Sequence, residues 1–403
     1  MKHYGASSRS KLATFLLAFL IGGGAAYAQS YTRHILSTGM GVPGRQGFIF
    51  GRFSNLAMNN SGEIVFLTRL RGSKADVRAV VRSSGVSFEV VAFEGLKAPE
   101  VKGGYSSFSA PSLNDAGQIA FTAEVASETP TSAIVRVAGE RSQVVATTGT
   151  AVPARPDASF LEFSAPVINS AGNILFGARF GGKQPGSGLF LWTTHGLMTV
   201  PLPRELTLRP SDLLVPVYAR VDEAIFVLRG LPSDVVTEQI FRTIALRSFQ
   251  DLPSTSMSPP VQDILPARPT EAPLKLMFVL AEGEQIQTAM LTGDPASAIK
   301  ARKTDRSPPV MLDRIQGQTA GPRGNVIIAA GTERDPKDLA LYCYCEAELV
   351  RLTSPEEFLS VTDPAPGRPL VSIASDGQKT VSFIAPAEAS GDATSIFVFS
   401  IPQ

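Results

Sequence analysis

The chain has 403 residues, of which 37 are basic and 36 acidic, so that its formal net charge is only +1. A charge this close to zero argues against nonspecific nucleic-acid binding, which needs a strongly basic face. Hydrophobic residues make up 44% of the sequence, alongside 35 glycines and 30 prolines, and helical periodicity is nearly absent. This composition indicates an all-β protein with many turns, long enough for one large closed domain or two ordinary ones.

Residues 1–28 have the features of a secretory signal peptide. Three basic residues come before or at the start of an apolar run from Leu12 to Ile21, and an Ala-Tyr-Ala cleavage motif ends at Ala28. The run is too short for a comfortable membrane span, and no later segment is apolar over the roughly 18 residues that a span needs. We therefore predict cleavage after Ala28, a secreted or periplasmic location, and no membrane span in the mature chain. The mature chain, residues 29–403, is expected to form a single domain.

The first segment after the signal peptide matches the ends of two later units. Thr32–Gly39 resembles Val90–Gly95 and Val144–Gly149, and a proline follows each of the three a few residues on. In the two later places the segment is the last strand of a repeated unit, whereas no unit precedes it here. The pattern predicts a spare strand at the N-terminus.

Three units with a period of 55 residues follow this strand. The recurring positions are Asn59, Gly62 and Phe66 in the first unit, Asn114, Gly117 and Phe121 in the second, and Asn169, Gly172 and Phe176 in the third. A fixed period of this length indicates repeated supersecondary units. The Asn-x-x-Gly segment predicts a tight turn, because Asn bonds its own backbone and Gly adopts positive φ at little cost. We interpret the Asn as a turn former rather than a ligand-binding group, and the Phe as core between neighbouring units rather than a stacking platform for sugar.

Each full unit reads as four strands, and the count of units is seven. In the second unit the strands are predicted at Ala110–Leu113, Gln118–Val125, Ser132–Val137 and Gln143–Thr147. The markers of the second strands are Phe66, Phe121, Phe176, Phe226, Phe278, Ile328 and Phe383, with spacings of 55, 55, 50, 52, 50 and 55. The seventh unit ends with its third strand at Ser395–Phe399, so its fourth strand is missing.

The spare first strand can supply the missing last one. Such a ring has no open sheet edges, which would otherwise invite aggregation. We predict an all-β fold, a seven-bladed β-propeller of four-stranded blades, in which the N-terminal strand at about residues 32–38 pairs with the C-terminal blade at about residues 369–403. An open β-solenoid or a pair of β-sandwiches leaves the spare strand unexplained.

The repeats Asn59 to Phe66, Asn114 to Phe121 and Asn169 to Phe176 resemble those of secreted bacterial proteins built from Asn-x-x-Gly-x-x-Ala-Phe tandem repeats. The likeness is clear over residues 32–200 and faint beyond them, where the Asn is lost. It implies export and a repeat fold, and it carries over no catalytic residue. Such proteins often carry a C-terminal anchor, which we do not expect in this chain.

Several loops predicted to share one face of the propeller carry basic side chains. The candidate ligand-binding residues on this channel face are Arg45, Arg71, Lys74, Lys102, Tyr105, Arg155 and Lys183. Together they could face an anionic glycan or a carboxylate. The alternative is that they are ordinary solvated loop charges, since loops are polar by default.

Signals for catalysis or metal binding are weak. His34 lies in the spare strand and His195 in a hairpin turn, and no nucleophile elbow, zinc-protease or phosphate-loop motif is present. A calcium site at Glu333–Asp338 lacks the carboxylate spacing and the glycine of a known motif. We predict no catalytic residue, no metal and no cofactor.

The two cysteines, Cys343 and Cys345, lie two apart in one predicted strand. Their Cα atoms are then about 6.6 Å apart, near the outer limit for a disulfide. They could form a strained, reducible bond in an oxidising compartment, or they could be small packing residues.

The function expected from these observations is an exported binding or protein-interaction module, monomeric, with an unknown protein or glycan partner and no nucleic-acid partner. The alternative is a secreted propeller hydrolase or lyase that acts on a glycan or lactone-like substrate at the channel face. A structural surface component without a small-molecule site is the third possibility.

Overall fold

The computed structural model describes residues 32–202 apart from residues 86 and 130, and beyond them the strands between residues 213 and 400 given below, with Leu352, Asp376 and Ala393 beside them. The predicted signal peptide and the loop at Glu333–Asp338 lie outside the described residues. Within the described ranges there is no helix with the length and apolar character needed to cross a bilayer.

The described strands form seven antiparallel sheets, here numbered in chain order. Sheet 1 consists of β2 (Phe48–Met58), β3 (Ile64–Gly72), β4 (Asp76–Ser84) and β5 (Ser87–Phe93). Sheet 2 consists of β6 (Gly104–Phe108), β7 (Ser112–Leu113), β8 (Ile119–Ala126), β9 (Thr131–Ala138) and β10 (Arg141–Thr147). Sheet 3 consists of β11 (Ala151–Val152), β12 (Arg155–Phe163), β13 (Val167–Ile168), β14 (Ile174–Gly182), β15 (Gly186–Thr193) and β16 (Gly196–Val200).

The later sheets follow the same plan. Sheet 4 consists of β17 (Leu213–Ala219), β18 (Glu223–Arg229), β19 (Gln239–Ile244) and β20 (Ser248–Gln250). Sheet 5 has β21 (Lys275–Glu282), β22 (Gln285–Thr292) and β23 (Lys300–Lys303) among the described residues. Sheet 6 consists of β24 (Arg314–Ala320), β25 (Val326–Gly331), β26 (Ala340–Cys345) and β27 (Glu348–Arg351). Sheet 7 consists of β28 (Ser372–Ser375), β29 (Thr380–Pro386), β30 (Thr394–Ser400) and, at its outer edge, β1 (Thr32–Ser37).

The first strand of the second unit begins earlier than predicted. It starts at Gly104 rather than Ala110, and it is split into β6 and β7, so the prediction of a single strand at Ala110–Leu113 is wrong. The gap contains Pro111, which has no N–H to donate to a ladder. Ser109 fills part of the gap, because its side-chain oxygen accepts the backbone N–H of Thr122 at 2.9 Å. Sheets 2 and 3 therefore contain more strands than the four that were predicted.

The hydrophobic core is divided into clusters, each lying between two neighbouring sheets. Phe66, Phe121 and Phe176 are fully buried at its repeated positions. The cluster of Phe66 also holds Ile384 and Ile396 of sheet 7, and the cluster of Phe121 includes residues of sheet 1. Other clusters join sheets 2 and 3, 3 and 4, and 6 and 7. First strands of neighbouring sheets touch, such as β2 with β28 and β7 with β13, so these strands lie at the inner edge of the sheets.

β1 occupies in sheet 7 the place that β5 and β10 have in sheets 1 and 2. It pairs antiparallel with β30, with Thr32 opposite Phe399 and Ser37 opposite Ser395. The hydroxyls of Ser37 and Ser395 are 2.6 Å apart. After β1, Thr38 donates its N–H to the carbonyl of Thr394 at 2.9 Å. In sheet 1, Glu94 follows β5 and donates its N–H in the same way to the carbonyl of Arg78 in β4, at 2.8 Å.

Cys343 lies in β26 with only 2% of its surface exposed, packed in the cluster between sheets 6 and 7. It is disulfide-bonded.

Candidate functional site

The antiparallel order gives the sheets two different ends. The turns between first and second strands and between third and fourth strands lie at one end, here called the turn end. The connections from second to third strands, and from one sheet to the next, lie at the other, here called the bulge end for a feature described below. The pairing of Met58 with Ile64 at the turn end and of Phe48 with Gly72 at the bulge end defines this polarity in sheet 1.

The turn end is built around the repeated asparagines. In sheet 1 the side-chain oxygen of Asn59 accepts the N–H groups of Ser61 and Glu63 at 3.1 and 2.9 Å. In sheet 2 the side-chain oxygen of Asn114 accepts the N–H groups of Ala116 and Gln118 at 3.1 and 2.9 Å. Asp376 of sheet 7 accepts the N–H of Thr380 at 2.9 Å, so a carboxylate can replace the amide in this role. The side-chain oxygen thus closes each turn.

The amide nitrogen of the same side chain links one sheet to the next. Asn59 donates its Nδ2 to the backbone carbonyl of Asn114 at 3.1 Å, and Asn114 donates to the carbonyl of Asn169 at 2.8 Å. All three asparagines are buried. Arg82 adds a further link, donating to the carbonyl of Gly117 at 3.1 Å while Glu89 holds its guanidinium at 2.5 Å. The Nδ2 of Asn169, in contrast, is buried without a hydrogen-bond partner among the described residues.

The bulge end repeats a backbone irregularity instead. The register of the first strand against the second shifts just after Phe50 in sheet 1, Tyr105 in sheet 2 and Phe160 in sheet 3. Sheet 6 shifts in the same way after Ile315, whereas the shift of sheet 4 after Pro216 and a second shift of sheet 1 between Ser54 and Ala57 lie nearer the turn end. A bulge leaves an extra residue unpaired and re-aims its side chain, and bulges are over-represented beside binding and active sites. Four inner strands, those of sheets 1, 2, 3 and 6, therefore present extra residues near this end of the molecule.

The side chains at the bulges differ from sheet to sheet although the backbone repeats. In sheet 1, Arg52 lies in the bulge of β2 and Arg69 lies on β3 opposite that bulge, whereas Ser107 pairs with Glu124 in sheet 2 and Glu162 with Arg179 in sheet 3. In sheet 3 the two form an ion pair, with the Nε of Arg179 donating to Glu162 at 2.6 Å. No ion pair of Arg52 or Arg69 occurs among the described residues, where the pairs are Arg82 with Glu89 and Arg179 with Glu162.

Exposed large apolar side chains also gather at this end. Within the described part of the chain they are Met40, Ile49 and Leu161, exposed by 45%, 41% and 57%. Leu161 is the extra residue of the bulge in sheet 3. Met40 and Ile49 lie beside each other, because Gly41 bridges to Ile49 and the carbonyl of Met40 accepts the N–H of Phe50 at 2.8 Å.

The residues expected to bind a ligand fall into three groups. Tyr105 is in β6 and only 3% exposed, between the rings of Phe108 and Phe121, and burial raises its pKa to about 12. Arg45 and Arg155 lie over aromatic rings at the bulge end, 3.8 Å from the centroid of Phe93 and 5.1 Å from that of Phe180. The remaining candidates at this end are partly or largely exposed: Arg71, Lys74, Lys102 and Lys183.

Comparisons with known proteins address the fold. The β-propeller domain of the Trilobed protease from Pyrococcus furiosus is similar over 87% of this chain and 95% of that chain, with a TM-score of 0.50 and 10% identity. The chain has a β-propeller-like fold. YCF48 from Cyanidioschyzon merolae is similar over 92% of this chain and 99% of that chain, with a TM-score of 0.50 and 11% identity. Prolyl oligopeptidase B from Galerina marginata is similar over 84% of this chain but 47% of that chain, with a TM-score of 0.51 and 10% identity.

Function is not assigned by these comparisons. The model of a family of unknown function (DUF7453) matches residues 24–198 of the propeller-like chain. No curated protein matches it. Among the residues that the structure describes, no group of three or more His, Cys, Asp or Glu side chains is placed to hold a metal ion.

The bulge residues were missed by the sequence analysis, although the signal was present. Arg52, Ser107 and Glu162 are 55 residues apart, and so are Arg69, Glu124 and Arg179. A search for repeated residues finds the positions that stay the same, whereas these positions keep the period and change in charge.

Proposed function

We propose that the chain is an exported, closed seven-bladed β-propeller that acts as a binding or protein-interaction module, with its partner held at the bulge end. The observation that carries the proposal is that the backbone bulge repeats while its side chains change. Sheet 1 has two arginines there, sheet 2 has a serine and a glutamate, and sheet 3 has an ion pair. Binding specificity is determined by such variable side chains on a constant scaffold.

Closure of the ring is supported by the contact between sheets 7 and 1. There the backbone N–H of Leu56 donates to the hydroxyl of Ser372 at 3.0 Å. Between sheets 2 and 3 the N–H of Ile168 donates to Ser112 in the same way, at 3.1 Å. The contact that joins the two chain ends therefore has the form of an internal one. An open velcro topology is described for the domain of the Trilobed protease, whereas here β1 pairs with β30.

A disulfide between β1 and β30 tests the closure. The hydroxyls of Ser37 and Ser395 are 2.6 Å apart, so a Ser37→Cys/Ser395→Cys variant can form a bond across this pair. We expect the oxidised variant to gain about 2–4 kcal/mol of unfolding free energy over its reduced form, because the bond closes a very long loop. Denaturant unfolding of both forms measures this gain. A bond that forms only under denaturing conditions would contradict the pairing.

A binding role fits the bulge end better than the alternative of a hydrolase or lyase. Glycoside cleavage uses two carboxylates about 5–9 Å apart, one of them free to act as acid or base. At the bulges of sheets 1 to 3 the carboxylates are Glu124, which faces Ser107, and Glu162, which is engaged by Arg179. Neither bulge supplies a carboxylate pair within its own sheet. The proposal of export rests on the signal-peptide features of residues 1–28.

A thermal-shift screen of the mature chain tests the binding role. The ligands are neutral and acidic glycans, cell-wall fragments, acidic peptides and anionic metabolites. A ligand that binds the native state raises the melting temperature once its concentration exceeds the dissociation constant. We expect at least one such shift, retained in the turn-end control Glu140→Gln and lost in Leu161→Asp, which changes the exposed bulge of sheet 3.

Two outcomes of the screen would overturn the proposal. One is the absence of any shift across all ligand classes. The other is a shift that Leu161→Asp leaves intact and Glu140→Gln abolishes, because the partner would then bind at the turn end.

A further inference from the structure

Three arginines form a row across sheet 1 at its bulge end. Arg69 of β3 lies opposite Arg78 of β4, and on its other side it faces the bulge that contains Arg52 of β2. All three residues are exposed. We propose that this row, here called the arginine row, binds an acidic segment of a protein partner. The inference rests on the proposed binding role of the bulge end and specifies the partner's chemistry.

The register brings the charges close together. Residues directly opposite each other on antiparallel strands share a face of the sheet, with Cα atoms about 4.5–5.5 Å apart. Across three strands the row therefore spans about 10 Å. Like charges placed directly opposite each other destabilise a sheet, so this arrangement costs the isolated protein stability. An anionic ligand that lies along the row removes that cost.

The equivalent rows in sheets 2 and 3 show that the positive charge is not a requirement of the fold. In sheet 2, Glu124 lies between Ser107 and Ser132. In sheet 3, Arg179 lies between Glu162 and Ser187, and Glu162 neutralises it. One backbone arrangement therefore accepts neutral, acidic and paired side chains. Sheet 1 is the one of these three that concentrates positive charge.

Acidic groups of the chain offset the row only in part. The carboxylate of Glu94 accepts the backbone N–H of Arg78 at 3.2 Å, which places one negative charge at the outer end of the row. Asp76 lies opposite Arg71, two residues along β3 from Arg69. Neither of the ion pairs among the described residues includes Arg52 or Arg69. The inner part of the row therefore carries the excess positive charge.

The neighbouring apolar residues favour a protein over an acidic glycan. Ile49 lies opposite Arg71, at the same end of the sheet as the row, and the exposed Met40 lies next to it. Arginine and methionine are enriched at protein–protein interfaces, whereas lysine is depleted. Arginine also binds carboxylates through two parallel hydrogen bonds, which a lysine cannot do. An extended segment with carboxylates and an adjacent aliphatic side chain fits this surface.

Fluorescence anisotropy with labelled peptides tests the inference on the purified mature chain. The probe is a peptide of six glutamates followed by two leucines, and its comparison peptide has glutamines in place of the glutamates. We expect the glutamate peptide to bind, and Arg52→Ala/Arg69→Ala to weaken that binding about tenfold. The matched control, Arg33→Ala/Arg141→Ala, removes the same charge from exposed residues at the turn end and should leave affinity within about twofold.

A second pair of variants separates charge from geometry. Arg52→Lys/Arg69→Lys keeps the charge but loses the two-pronged hydrogen bonding, so it should fall between the wild type and the alanine variant. Melting temperatures of all variants check that they are folded. If the double alanine variant does not fold, Arg69→Gln alone is measured instead, with an expected loss of about threefold.

Four results would each overturn the inference. The first is that the wild type binds neither peptide, and the second is that the glutamine peptide binds as well as the glutamate peptide. The third is that the turn-end control loses as much affinity as the row variant, and the last is that the acidic glycan polygalacturonate is the only competitor that displaces the labelled peptide. The first and last of these leave the broader binding role standing if the thermal-shift screen finds a ligand sensitive to Leu161→Asp. Failure of both experiments removes the binding role itself.

Discussion

The two ends of the sheets use repetition in opposite ways. At the turn end the same asparagine recurs in sheets 1, 2 and 3, is buried each time, and in the first two sheets also bonds to the next. At the bulge end the backbone shift recurs but the side chains change, from Arg52 to Ser107 to Glu162. A residue that is repeated and buried serves the framework. A position that is repeated while its residue varies is free to serve recognition.

The largest effect is expected from removing an asparagine at the turn end. Asn114→Ala leaves two backbone N–H groups of the turn and the carbonyl of Asn169 without their partner. An unsatisfied buried carbonyl costs about 1–3 kcal/mol and the two part-buried N–H groups cost less, so the unfolding free energy should fall by about 2–3 kcal/mol. Urea unfolding monitored by circular dichroism measures this change.

Asn114→Asp is the matched control for that experiment. Asp376 shows that a carboxylate can accept the turn N–H group, so this variant keeps the turn and loses the donor to Asn169. Its loss should be smaller than that of the alanine variant. Equal losses would mean that the link between sheets, rather than the turn, accounts for the stability.

The glycine of the same turn gives the second largest effect. Gly117 has a φ of +71°, a left-handed conformation that side chains with a Cβ disfavour. Gly117→Ala should lower the unfolding free energy by about 1–2 kcal/mol. The exposed Gly139, with a φ of +58° and open space around it, is the comparison, because Gly139→Ala carries the same strain without a neighbour to displace. If Gly139→Ala lowers the unfolding free energy more than Gly117→Ala does, the neighbour that a Cβ at Gly117 would meet is not the cause of the loss.

Tyr105 is the case in which the bulge end behaves like the framework. Burial raises its pKa to about 12, from about 10 in the unfolded chain. The unfolded state therefore loses its proton first, and this contribution to stability is present below pH 10 and is lost as the pH rises from 10 to 12. Tyr105→Phe should make the fall of the melting temperature over this range shallower. Parallel curves for the two proteins would contradict the assigned burial.

The smallest effect is expected at the arginine row. Because Arg52 and Arg69 are exposed and repel each other, Arg52→Ala/Arg69→Ala should change the unfolding free energy by less than about 0.5 kcal/mol, with a gain at low salt. Denaturant curves at low and high salt measure both. A loss as large as that of Asn114→Ala would show that the two ends do not divide stability and recognition between them.

The framework could be predicted from the sequence because its signals are local or periodic. Asn59 and Gly62 predict a turn through their own backbone chemistry, and Phe66 recurs where neighbouring sheets meet. The spare strand at Thr32 matches later strands by its residues alone. Each of these features depends on the residue type at one position, and the recurrence of that residue type at a fixed period makes the feature recognisable in the sequence.

The bulge end could not be predicted in the same way. Tyr105 follows two glycines and looks like part of a loop, yet it lies in β6 and packs in the core. The register shift that follows it depends on the pairing of two strands, which no single residue signals. Arg69 and Arg78 are nine positions apart along the chain and become neighbours only once β3 and β4 are in register. Their meaning is therefore visible only in three dimensions.

The pairing of β1 with β30 also fixes the order in which the molecule can be completed. Ser37 and Ser395 are 358 positions apart, so the two strands that finish sheet 7 are made at the beginning and the end of synthesis. While β30 is still in the ribosome, β1 has emerged with an unpaired edge, the kind of surface that chaperones capture and that aggregation exploits. Sheet 7 is thus the last sheet to be completed, although its strand β1 is the first to be synthesised.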